Sequence, residues 1–170
     1  MGLQQVSTTT LDDSSKTSSL IVTGIDDDSD YVFAFNNLNV ENDITLGLRF
    51  TISGSPFALA NYNFSRKQFN SGATSGSVAG ASQTFINMQI VSDTTCFGSG
   101  IFYLQHFNDS SSFSMCTFST VLSNTSSYSG VTGSSGGAEL ASNGATDGIN
   151  LLTASGYEIN SGTYTLFKVV

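Results

Sequence analysis

Tryptophan is absent from this 170-residue chain, and proline and histidine occur once each, at Pro56 and His106. Charged residues make up only 11%, far below the roughly 25% of an average soluble protein. With three Lys and three Glu, the usual surface helix formers are missing. The abundant Ser, Thr and Asn compete with a helical backbone for hydrogen bonds, so the composition argues against helices. The five cations, Lys16, Arg49, Arg66, Lys67 and Lys168, are scattered in a chain of net charge -8. A phosphate backbone needs a concentration of Lys and Arg to displace its counterions, and no nucleic-acid partner is expected. No run approaches the roughly 18 apolar residues of a membrane span, so no membrane partner is expected. The N-terminus has neither the basic region nor the apolar stretch of a signal peptide. Met1-Gly2 lacks the Ser or Thr of a myristoylation site, since Val6 stands there. Synthesis in a cytoplasm is the expectation, and in that compartment Cys96 and Cys116 are expected as buried free thiols rather than a disulfide.

What is plentiful is Phe, with thirteen residues, together with six Tyr and seventeen Gly. Tyr31, Phe33 and Phe35 alternate with smaller residues, as do Leu46, Leu48 and Phe50. That is the period of a strand with one buried face. Similar signals predict strands over 20–23, 31–36, 44–52, 84–90, 101–107, 113–122, 149–153 and 163–169. Gly, Ser, Asp and Asn clusters punctuate them. About eight strands imply an all-β, antiparallel, jelly-roll-like sandwich. The expected organisation is an extended N-terminal arm over 1–17 and a single sandwich domain over 18–170. The low-complexity stretches SGATSGSVAGAS and SGVTGSSGGAE are read as long rim loops.

The acid-base inventory is thin. His106 lies in an apolar strand signal, on the face of Phe102 and Leu104 by alternation, and no nucleophile motif supports it as a base. Gly133-Ser134-Ser135-Gly136-Gly137 matches G-x-S-x-G, but that elbow needs a strand before it and a helix after it. A zinc site would have to be assembled from Cys96, Cys116, His106 and a further ligand, and core cysteines are the better reading. The run Asp26-Asp27-Asp28-Ser29-Asp30 has oxygen donors at alternate positions. It fails as an EF-hand, with Tyr31 where Gly belongs and Asn37 where the bidentate Glu belongs, which leaves a solvated turn or a calcium-holding sandwich loop. A glycoside hydrolase needs two carboxylates flanking a cleft, and Glu41, Glu139 and Glu158 sit in apparent loops or strand edges. The expectation is no enzyme activity, no catalytic residue, no cofactor and no metal site. Three sequons, at Asn63, Asn108 and Asn124, carry little meaning without a secretory route. Tyr62, Phe69 and Tyr128, read as exposed loop aromatics, suit either sugar stacking or an oligomer interface.

Two segments carry a resemblance. The first runs Thr23-Gly24-Ile25-Asp26, Asp30-Tyr31-Val32-Phe33-Ala34-Phe35-Asn36-Asn37 and Leu46-Gly47-Leu48-Arg49-Phe50-Thr51. The second runs Asp147-Gly148-Ile149-Asn150-Leu151, Ser155-Gly156-Tyr157-Glu158-Ile159 and Ser161-Gly162-Thr163-Tyr164-Thr165-Leu166-Phe167. Together they cover about a third of the chain and resemble a pattern in β-sandwich virion structural proteins of tailed bacteriophages, marine and cyanobacterial ones especially. Phe167-Lys168 stands where that pattern usually ends in Tyr-Gly. The resemblance implies a virion protein and carries no catalytic residues across. One expectation is a capsid decoration or cement protein on the assembled head, a homo-oligomer with a trimer as one option, bound to the major capsid protein. The other is a tail-fibre, collar or receptor-binding module that recognises a host glycan.

Overall fold

The computed structural model describes residues 2–40, 44–71, 73–91, 96–124, 130–154 and 156–170. In chain order the strands are β1 (Leu3–Leu11), β2 (Ser19–Thr23), β3 (Tyr31–Val40), β4 (Ile44–Ile52), β5 (Ser55–Pro56), β6 (Tyr62–Asn70), β7 (Ala73–Gln83), β8 (Ile86–Val91), β9 (Cys96–Gln105), β10 (Met115–Asn124), β11 (Gly130–Leu140), β12 (Gly148–Thr153) and β13 (Ile159–Val169). An eight-stranded sheet runs β1-β13-β3-β9-β10-β11-β6-β7, and a five-stranded sheet runs β2-β12-β4-β5 with β8 also on β4. Every pairing between these strands is antiparallel. Setting aside two hairpins and the short β5, β1-β13-β3-β9 faces β2-β12-β4-β8, which is the strand order of a jelly roll. The β6-β7 hairpin interrupts the connection from β4 to β8, and β10-β11 interrupts the one from β9 to β12. The two insertions meet at the β11-β6 pairing and extend the large sheet by four strands.

The predicted alternation is what the core uses. Phe33, Phe35, Phe102 and Phe118 are buried on the inner face of the large sheet, their ring centroids 5.7–6.4 Å apart. On the small sheet Phe50 packs edge-on to Tyr62 at 5.7 Å and to Phe107 at 4.6 Å. β12 lies between β2 and β4 and is buried along its whole length. Its one amide, Asn150, is satisfied by donating to Ser19 Oγ at 2.7 Å and to the Leu20 carbonyl at 3.1 Å. Arg66 is buried on the inner face of β6. It donates to Gln68 Oε1 at 2.7 Å and to Asn87 Oδ1 at 3.3 Å, tying β6 to the edge of β8.

Four expectations need correction. The segment expected as an arm is extended, but β1 pairs with β13 from Leu3 to Leu11 and is an edge strand of the large sheet. The Gly/Ser/Ala stretches expected as rim loops are largely strands β7 and β11, whose backbones complete the sheet with little help from side chains. Tyr62, expected as an exposed loop aromatic, is fully buried. Its hydroxyl accepts from Phe50 N–H and donates to the Phe57 carbonyl, both at 2.9 Å, and burial raises its pKa to about 12. The alternation that put His106 beside Phe102 and Leu104 breaks at the end of β9, where His106 takes a left-handed φ of 56°. That turn exposes His106 and sends Phe107 into the core.

Candidate functional site

The groups that sequence put forward for chemistry do not converge. Cys116 lies opposite Leu104 and Cys96 opposite Asn124 on the same strand pair. Eight residues therefore separate the two positions, about 26 Å at strand rise, which rules out both a disulfide and a shared zinc. Burial pushes the Cys116 thiol up to about 12, so it is a poor nucleophile. Gly133 to Gly137 lie within β11, with no elbow. Glu139 belongs to the cross-strand row of Met115 and Gln105, whereas Glu158 precedes Ile159 in the row of Val40 and Cys96. Nine residues of β9 separate those rows, about 30 Å, against the roughly 5–9.5 Å between the carboxyl groups of a glycosidase. Glu41 and Tyr128 lie outside the described residues.

The acidic run closes on itself. Tyr31 donates to Asp26 Oδ1 at 3.0 Å and Asp27 Oδ1 at 2.9 Å, Ser29 N–H donates to Asp27, and the Lys168 ammonium contacts the other Asp27 oxygen. No group of three or more His, Cys, Asp or Glu suited to a metal occurs among the described residues. The oxygens of Asp27 that a calcium ion would need are taken by an ammonium, a phenol and an amide. Lys168 first, then the Ser29 amide, holds the Asp27 carboxyl well below its ordinary value. A depressed carboxylate stabilises the fold above the unfolded-state pKa of about 3.9 and loses that contribution as pH falls toward the folded-state value. Urea midpoints measured from pH 7 to pH 2 should therefore fall below about pH 4, and Asp27→Asn should flatten that decline. An equally steep decline in the variant would remove Asp27 as a cause.

The outer face of the large sheet is the distinctive surface. Outward positions on β6, β7, β9, β10 and β11 carry two charged residues, Lys67 and Glu139. At one end Phe69, Phe97, Val121 and Val131 are all more than 40% exposed. Their registers set them on adjoining rows, since Val121 faces Gly133, Gly133 faces Phe69, and Ser123 lies between Phe97 and Val131. Ile101 continues the strip toward Tyr103, which is 52% exposed.

Beyond Tyr103 the face sinks. Tyr103, Thr117, Gly137 and Ser65 form one cross-strand row, with Gln105, Met115, Glu139 and Asn63 beside it. A groove of about 450 Å³ lies over Gly137. A second hollow of about 420 Å³ lies on the Tyr103 and Ser119 side and shares Thr117. Asn63 donates to Glu139 Oε1 at 2.9 Å and accepts from Ser82 N–H at 3.1 Å, so the carboxylate is held in one orientation. Of the two described aromatics singled out from sequence, Phe69 is on this face and Tyr62 is in the core. Tyr103 gives no local signal of exposure, because its strand reads as uniformly apolar in sequence, and alternation with Phe102 and Leu104 places it outward. No family model matches the chain, and no curated protein matches it.

Proposed function

We propose that the chain is a non-enzymatic structural protein of a tailed-bacteriophage particle, a decoration or cement protein that docks on the assembled head as a homo-oligomer. The observation that carries this reading is the apolar strip of Phe69, Phe97, Val121, Val131 and Ile101 on an almost uncharged sheet face. Exposed apolar patches of this kind mark protein contacts, and a chain of net charge -8 approaches an acidic neighbour at least cost through its least charged side. The resemblance to virion β-sandwich proteins supports the setting. Its two segments supply β3, β4, β12 and β13, which pair as β13 with β3 and β12 with β4. They form the jelly-roll frame, so the motifs bear on the scaffold, while the strip lies on the inserted strands and on β9.

The groove beside Tyr103 favours a second reading, a tail-fibre, collar or receptor-binding module that meets a host glycan. Quantitative mass spectrometry of purified particles of the encoding phage separates the two. Hundreds of copies per particle support decoration, a handful sinks it in favour of the second reading, and absence from the particle overturns both.

A further inference from the structure

Gly137 is the unusual residue of the groove. It sits inside an eleven-residue strand, where glycine packs nothing and weakens the strand. A Cβ there would meet only Cys116 O at 3.5 Å and Thr117 Cγ2 at 3.9 Å, ordinary contacts. The fold has no steric need for glycine at this position, whereas a side chain there would stand in the 450 Å³ groove. Glycine in a strand interior often marks a bulge, a tight bend or a close approach by a ligand or another backbone, and the pairings of β11 with β10 and β6 run through Gly137 without a register shift.

The lining defines what approaches. Met115 and Ala138, with parts of Phe64 and Cys116, give the groove an apolar bed. Around it stand the Gln105 amide, the Thr117 and Ser65 hydroxyls and the Glu139 carboxylate. Asn63 fixes Glu139 through one oxygen, and among the described residues no donor reaches the other. No cation lines the groove, which disfavours phosphate, sulfate and acidic sugars. Across Thr117, which lines both hollows, the exposed ring of Tyr103 lines the adjoining hollow of about 420 Å³. An apolar bed, a fixed carboxylate and several neutral donor-acceptors, with an aromatic ring in the adjoining hollow, suit an extended ligand that has apolar C–H faces and many hydroxyls.

We infer that the groove over Gly137 is a binding site for a neutral oligosaccharide. One sugar ring rests on the apolar bed, the next reaches Tyr103 in the adjoining hollow, and hydroxyls donate to Glu139 and exchange hydrogen bonds with Gln105, Thr117 and Ser65. The site rests on the receptor-binding reading, yet its test is separate, since particle copy number reports where the chain sits and sugar titration reports what the groove holds.

The experiment is titration of the intact ¹⁵N-labelled chain with neutral di- and trisaccharides built on glucose, galactose, mannose and N-acetylglucosamine, with sialyllactose as the anionic control. At least one neutral sugar should shift the amides of Asn63, Ser65, Tyr103, Thr117 and Gly137 in a saturable manner, with sialyllactose at least tenfold weaker. Gly137→Val should keep or raise the melting temperature and weaken binding at least tenfold, and Glu139→Gln should weaken it by a similar factor. The proposal is overturned if no neutral sugar binds, if the shifts fall elsewhere, if sialyllactose binds as well, or if folded Gly137→Val binds like the parent.

Discussion

Phe102→Ala is expected to cost about 3–5 kcal/mol of folding stability, the usual range for deleting a fully buried aromatic ring. Phe102 is fully buried and central to its cluster, with centroids 5.7 Å from Phe33, 6.1 Å from Phe35 and 5.8 Å from Phe118. Those neighbours sit on β3 and β10, the two strands that flank β9 in the sheet. The register of both pairings opposes their collapse into the space, so the cavity cost adds to the lost transfer energy. Urea unfolding followed by near-ultraviolet circular dichroism measures the loss. Tyr103→Ala, one residue along, removes a ring of similar size from the outer face and should change stability by only about 0.5 kcal/mol. Equal losses at the two positions would contradict the assignment of faces.

Gly136→Val should be more disruptive than any substitution its sequence context suggests. A Cβ at Gly136 would lie 2.3 Å from the Ser65 carbonyl oxygen, 2.7 Å from Arg66 Cβ and 2.8 Å from Arg66 Cα. Two of those three atoms are backbone of β6, so relief requires the β11-β6 pairing to open. Overpacking of this kind typically costs 1–3 kcal/mol, occasionally more, and contact with backbone places this case at about 3 kcal/mol or above. Thermal melts of Gly136→Val and Gly137→Val make the comparison, because the side chains of these neighbours point to opposite faces. The first should unfold many degrees early and the second should not. If both variants melted with the parent, β11 would be the rim loop that its composition suggested.

Legibility followed side-chain volume. The eight strands expected from alternation correspond to β2, β3, β4, β8, β9, β10, β12 and β13, with β4 matching at both ends. Large apolar residues at every second position leave one way to bury them. The strands missed in sequence have other logic. β7 and β11 are built of Gly, Ser, Ala and Thr, whose pattern cannot be told from a loop when the pairing energy comes from the backbone and from neighbours. β6 carries Arg66 and Gln68 on its inner face, so its later half breaks the apolar alternation. β1 pairs with a strand more than 150 residues away, and nothing local in Gln4-Gln5-Val6-Ser7-Thr8 announces that partner.

The candidate site shows the same division. In sequence Glu139 stands out only as one carboxylate of a possible hydrolase pair and Asn63 only as a sequon, 76 positions apart in the chain. The β11-β6 register brings them within a 2.9 Å hydrogen bond. Sequence by itself determined an all-β protein with an aromatic core, a surface poor in charge and a sparse set of acid-base groups, because composition and period act locally. Tertiary structure alone decided that two inserted hairpins join into one sheet, that Tyr62 belongs to the core and Tyr103 to the surface, and that Gly137 opens a groove. Those outcomes depend on which distant strands pair and in what register, and with a period of two a shift of one residue exchanges the faces.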